Sequence, residues 1–223
     1  MLAAVLVITG CGNKNQKKED PKEQKAIVMR PNRLLIIVDP QIDFTTGSLA
    51  TAKGPQAMDC LARAINDGVL EKYSWVAITQ DAHPANHSSF ADYGGVFPPH
   101  CVQGTEGMDI YPNLKKALED NKGIAEYVYL YKGNLPEKEE FSVFQNEECG
   151  EKLRETILDQ HYEGIDICGI ATDYCVYETA KDLMAFYPAN QIRVVTNCVA
   201  AVDDNDTKLA DLMKENGIEG ITF

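Results

Sequence analysis

Apolar and polar positions along the chain fall into blocks with two distinct periods. Two short, continuous apolar runs, Arg33 to Asp39 (RLLIIVD) and Ile165 to Ile170, predict strands buried on both faces, and Trp75 to Thr79, Ala125 to Tyr131 with its alternating tyrosines, Gln191 to Thr196 and Ile218 to Thr222 predict four more. Between them, apolar residues recur at helical spacing. Pro55 to about Leu70 sets Ala57, Leu61, Ala64 and Ile65 on one face, and similar patterns cover Asn113 to Asp120, Gly150 to Gln160, Asp173 onward and Asp206 to Asn216. Strands and helices that alternate in this way predict a doubly wound, Rossmann-like α/β domain: a six-stranded parallel sheet with helices on both faces. In such sheets ligands bind in the crevice beyond the strand C-termini. Asp39, Asp81, Lys132 and Thr172 all fall just after predicted strand ends.

The stretch Gly164 to Ala180 puts Cys175 in the first turn of a helix that follows a strand. Unpaired amides and the helix dipole at that position lower a thiol's pKa and can hold a developing oxyanion, which makes Cys175 a candidate nucleophile. The competing reading is a cysteine packed as a small hydrophobe. Asp39 either works in the crevice or caps the turn that follows it. Lys132 tops a strand in the same crevice as both. Residues 133 to 149 form an irregular acidic loop containing Phe141 and Phe144, a lid or rim.

Three of the four histidines, His83, His87 and His100, lie within eighteen residues. Asp81 and His83 are two apart, so an extended chain projects both to one face, and a carboxylate converging with an imidazole is half of a divalent metal site. Pro98 and Pro99 restrict the backbone ahead of His100. Asp81, His83 and His100 are therefore the predicted ligands, with water completing the coordination and His87 assigned to a supporting hydrogen bond.

Net charge is -13, and beyond residue 33 the chain carries 14 basic against 31 acidic residues, a surface that repels nucleic acid and anionic lipid. Residues 2 to 8, LAAVLVI, are far too short to span a bilayer. Followed by Thr9, Gly10 and Cys11, the run resembles a bacterial lipobox, which implies a leader over residues 1–10 and lipidation of Cys11. Residues 11–32 are polar and charged, as a tether would be, and the domain occupies 33–223. The expected location is the cell-envelope side of a bacterial membrane, with the cytoplasm as the alternative. Seven scattered cysteines give neither a disulfide framework nor paired zinc spacing, and an exported catalytic thiol would have to stay reduced in an oxidising compartment.

VDPQIDF, DAHPANHSSF, FPPHCVQGT, YKG and GIATDYCV occur here in the order and approximate spacing of the isochorismatase-like cysteine hydrolases, and the chain resembles their nicotinamidase/pyrazinamidase branch from Leu34 to Phe223. The resemblance implies a metal-dependent amidase that converts nicotinamide, and pyrazinamide, to the acid and ammonia in NAD salvage. It makes Cys175 the nucleophile, Asp39 the general base and Lys132 the third member of a triad. It implies an oxyanion hole from the amides of Ala171 and Cys175, a cis Ile170–Ala171 peptide, and a substrate ring held between Phe44 and Phe97. One divalent ion, Zn, Fe or Mn, would bind the pyridine nitrogen and position the carboxamide. Two departures touch the substrate wall: Phe97 stands where the pattern usually has Trp, and Phe141, Ser142, Val143 and Phe144 replace the usual Tyr-Ser-Gly-Phe. Competing readings are a metal-free isochorismatase or N-carbamoyl hydrolase, and a non-catalytic lipoprotein that captures metal or nicotinamide.

Overall fold

Strands β1 (Arg33–Val38), β2 (Trp75–Asp81), β3 (Glu126–Lys132), β4 (Gly164–Ile170), β5 (Ile192–Ala200) and β6 (Glu219–Ile221) form one sheet in the order β3-β2-β1-β4-β5-β6. Every pairing is parallel. The structure, a computed structural model, describes residues 32–223. The leader, Cys11 and all but the last residue of the tether lie outside the described residues. No helix among the described residues is long and apolar enough to cross a membrane.

Helices α1 (Ile42–Thr45), α2 (Gly54–Asn66), α3 (Pro112–Asp120), α4 (Cys149–Gln160), α5 (Cys175–Met184) and α6 (Lys208–Asn216) complete the domain. Because side chains alternate along a strand, β1 feeds two cores. Leu35 and Ile37 pack with Met58, Leu61 and Ile65 of α2 and Leu114 and Leu118 of α3. Leu34, Ile36 and Val38 point the other way, to Leu153 and Ile157 of α4, Val176 and Leu183 of α5 and Leu209 of α6. Each fully buried aliphatic side chain of this kind contributes roughly 1.5–3 kcal/mol. This two-sided burial is why the strands read as continuous apolar runs.

Several boundaries differ from the pattern. The helix predicted to run from Pro55 to Leu70 stops at Asn66, because Gly68 turns left-handed (φ 91) and Val69–Lys72 forms a separate 3-10 turn. Val69 and Leu70 are buried, so their hydrophobicity extended the apparent period. Ile42–Thr45, where Pro40, Asp43, Thr45 and Gly47 predict a loop, makes one helical turn. Asp81 and Lys132 are the last residues of β2 and β3 rather than the first beyond them, and they are register partners across the sheet.

Strand order reverses between β1 and β4, the chain's topological switch point. There Gly169 has φ 118, and a Cβ on it would stand 2.0 Å from the carbonyl oxygen of Val38. Only glycine fits, and β1 and β4 close together just below Asp39 and Ala171. The peptide between Ile170 and Ala171 is cis.

Candidate active site

Cys175 is the first residue of α5, so its amide belongs to the unsatisfied first turn of a ten-residue helix. The neighbouring amides of Thr172, Tyr174 and Val176 donate to the carbonyls of Ala200, Ala171 and Ala171. Those of Ala171 and Cys175 have no backbone acceptor among the described residues, which leaves both available to an oxyanion. The thiol is buried, with Sγ 3.6 Å from Lys132 Nζ. Burial pushes it well above the ordinary thiol range, and the Lys132 ammonium only partly offsets this. Desolvation of a fully enclosed sulfur thus works against the helix terminus, which favours the thiolate. The resting group is a neutral thiol that needs a base.

Asp39 lies beside it. Its backbone occupies the left-handed region (φ 46), costly for a non-glycine residue and common where side chains are aimed into a site. Thr79 Oγ1 donates to Asp39 Oδ1 at 2.6 Å, and Lys132 Nζ is 2.9 Å from Asp39 Oδ2. Burial raises the pKa of Asp39, with Lys132 and Thr79 pulling against it. A carboxyl raised in this way is closer to the working range of a general base. The Lys132 ammonium also donates to Asp81 Oδ1 and, at 3.0 Å, to the carbonyl of Glu140. Burial works against that charge, but Asp39 and Asp81 hold its pKa well above the usual value.

Asp81, His83 and His100 offer ligand atoms within 4.8 Å of one another. His83 Nδ1 donates to the carbonyl of Gly133 and His100 Nδ1 to that of Pro98, both at 2.8 Å, so each imidazole presents an unprotonated Nε2. His83 Nε2 is fully buried with no hydrogen-bond partner, 3.5 Å from Asp81 Oδ2. An orphaned buried nitrogen costs about 1–3 kcal/mol. Two imidazole nitrogens and a carboxylate suit a divalent zinc, iron or manganese ion, and such an ion would satisfy the orphan. His87 is different. It stacks on His83 with ring centroids 4.0 Å apart, and both of its nitrogens are engaged, Nδ1 with Ser89 and Nε2 with the carbonyl of Lys138.

These groups meet beneath a narrow cleft of about 370 Å³ including its mouth, lined by Phe44, Phe97, Phe141, Tyr174, His100 and Cys175 among others. A larger groove of about 890 Å³ along Leu118, Lys122 and Tyr129 brings no nucleophile or ligand cluster together. Phe44 and Phe97 flank His100, with centroids at 5.5 and 5.8 Å, and Phe97 and Phe141 both meet the ring of Tyr174. Sequence reasoning missed Tyr174, Thr79 and Glu140. Thr79 could have been found, since it shares a strand face with Asp81 at i, i+2. Glu140, one acid in an acidic loop, gave no signal. The six described cysteines are all free thiols.

The doubly wound sheet gathers a buried cysteine, aspartate and lysine near its switch point, and the chain belongs to the isochorismatase family of hydrolases with an α/β fold, whose domain matches residues 33–222. Among its relatives, the nicotinamidase/pyrazinamidase of Mycobacterium tuberculosis is 38% identical over 184 residues, covering 80% of this chain and 91% of that one. The nicotinamidase of Escherichia coli is 31% identical over 211 residues, covering 86% and 94%. The crystal structure of the Pyrococcus horikoshii pyrazinamidase in complex with zinc superposes with a TM-score of 0.72 at 29% identity, covering 86% of this chain and 100% of that one. PnC1 from L. infantum in complex with nicotinate gives the same TM-score and identity, covering 86% and 93%.

Proposed function

We propose that this protein is a nicotinamidase that hydrolyses the carboxamide of nicotinamide, and of pyrazinamide, to the carboxylate and ammonia. The observation that supports it most is the convergence of Asp39, Lys132 and Cys175 with the Asp81, His83 and His100 set below one aromatic cleft. A metal-free hydrolase has no use for an orphaned, tautomer-fixed His83, and a capture protein has none for a base and nucleophile held together.

In this reading Asp39 takes the thiol proton as the Cys175 sulfur attacks the amide carbon, and Lys132 steadies the charges on both. The oxyanion is received by the amides of Ala171 and Cys175. Collapse breaks the C–N bond, and Asp39 returns its proton to the leaving nitrogen, which departs as ammonia. Water then attacks the thioester and gives a proton to Asp39. The C–S bond breaks, the sulfur recovers that proton, and the carboxylic acid leaves and gives its remaining proton to solvent or to the released ammonia. A divalent ion on Asp81, His83 and His100 would supply a coordination position for the ring nitrogen of the substrate. Phe44 and Phe97 hold the ring from its two faces.

Ammonia release from nicotinamide and pyrazinamide by wild type and Cys175→Ala tests the reading. Wild type turns over, and the variant loses roughly a thousandfold or more while still binding substrate. Equal silence of both proteins with substrate still bound would favour ligand capture instead. In a cell the reaction serves NAD salvage. Anchoring through Cys11 on the envelope side is proposed from the sequence, and an unmodified N-terminus on protein from its own host, read by mass, would end it.

A further inference from the structure

Glu140 is a buried carboxylate that the mechanism does not use, with 1% of its surface exposed. Its Oε2 accepts the amide of Gly133 at 2.8 Å and the Asn146 side chain at 2.9 Å, and Lys138 Nζ lies 2.9 Å from Oε1. Its backbone carbonyl accepts from Lys132 Nζ at 3.0 Å. The residue thus grips the chain at two points, one on the side chain of Lys132 and one on the next residue's amide.

Gly133 is the hinge of this arrangement. Its carbonyl takes the Nδ1 proton of His83 at 2.8 Å, and with φ 61 a Cβ there would stand 2.4 Å from His83 Cε1. The peptide just before it is fixed on both sides: the carbonyl of Lys132 accepts from Ala82, and the Gly133 amide is held by Glu140. Asn146 also accepts the amides of Glu148 and Cys149 at the start of α4, so the Glu140 carboxylate is braced against a helix.

We infer that Glu140 is a positioning residue that couples the two halves of the site, setting the Lys132 ammonium by its carbonyl and the His83 imidazole by its carboxylate through Gly133. The inference rests on the amidase reading above and concerns how its parts are held. Three donors face the carboxylate, namely a backbone amide, a side-chain amide and an ammonium. Gly133 and Asn146 both donate to Oε2, whereas Oε1 faces only Lys138, so a glutamine could keep both contacts and the arrangement is broken only by removing the acceptor, as in Glu140→Ala.

The test is zinc affinity of metal-stripped wild type and Glu140→Ala, measured by competition with a chromophoric chelator, together with kcat and KM for nicotinamide at saturating zinc. We expect zinc affinity to fall roughly 10- to 100-fold, the usual scale for losing a group that orients a ligand. We also expect kcat at saturating zinc to fall at least about fivefold with KM nearly unchanged, since Lys132 acts on the reacting groups. Zinc affinity within twofold of wild type in a folded variant overturns the coupling to His83. Lost affinity with unchanged kcat overturns the coupling to Lys132. Wild type that binds no zinc at all would instead sink the metal assignment, a distinct result. Should Glu140→Ala not fold, Asn146→Ala removes one brace from the carboxylate, and a several-fold loss of zinc affinity is expected from it. A lost helix cap alone would leave that affinity where it was.

Discussion

The ammonium of Lys132 donates to Oδ1 of Asp81, the same carboxylate whose Oδ2 lies 3.5 Å from His83 Nε2. One acid therefore belongs both to the proton-transfer set and to the ligand set. Parallel pairing makes this possible, because Asp81 and Lys132 are register partners at the ends of β2 and β3. Burial alone would raise the pKa of Asp81, but the Lys132 ammonium leads the contacts that hold it below the usual carboxylate value.

Lys132→Met leaves Asp39 and Asp81 buried without their common counter-charge. Removing one partner of a buried pair costs about 3–5 kcal/mol, so we expect a clear drop in thermal unfolding temperature along with loss of activity. Calorimetry of the purified variant checks it, and an unchanged transition would mean that the carboxylates find another partner.

Thr79→Val removes the hydroxyl that donates to Asp39. That hydrogen bond favours the carboxylate, so losing it moves an already raised pKa further up. Because the base must be ionised to act, the acid limb of the kcat/KM profile shifts to higher pH. An acid limb that stays in place removes Asp39 from the role of base.

Thorough chelation is expected to abolish amide hydrolysis, with zinc, manganese or iron restoring it. His100→Ala loses a ligand atom, so added metal restores the variant only at much higher concentration, if the protein is titrated alongside wild type. Activity indifferent to metal removal would discard the assignment of Asp81, His83 and His100.

Asp166 offers a stability test far from the cleft. It is fully buried and accepts from Arg33 and Tyr73 and, through both oxygens, from Arg193. Burial would raise its pKa, yet Arg193, Arg33 and Tyr73 hold it below the usual carboxylate value. Its folded pKa is thus depressed, so its contribution is present above the ordinary range of about 4 and is lost as pH falls below it. Asp166→Asn should lower stability by about 3–5 kcal/mol near neutrality and flatten the loss of stability between neutral and acid pH. Denaturant melts at several pH values read both effects.

The layer architecture was legible because β1 and β4 are buried on both faces, so apolar residues fill the runs and only Asp166, itself buried and paired with arginines, interrupts the second. Asp81, His83, His100 and Cys175 were legible because spacing and type survive in one dimension. The sharing of Asp81 with Lys132 was not, since it depends on the register of two strands separated by a 44-residue connection between Asp81 and Glu126. The burial of Cys175 was hidden for a related reason: a helix start is visible in the pattern, but the depth at which it sits is not. Glu140 stayed hidden because its importance lies in where its backbone carbonyl and carboxylate end up, not in its being an acid.

Arg33 opens β1 at the end of the strand opposite Asp39, and Asn32 just before it is tied by its side chain to the carbonyls of Gln160 and His161. The domain is therefore entered at the edge of the sheet that lies a strand's length away from the mouth. A label joined directly to Asn32 would start from that far edge and leave the entrance clear for small molecules to come and go.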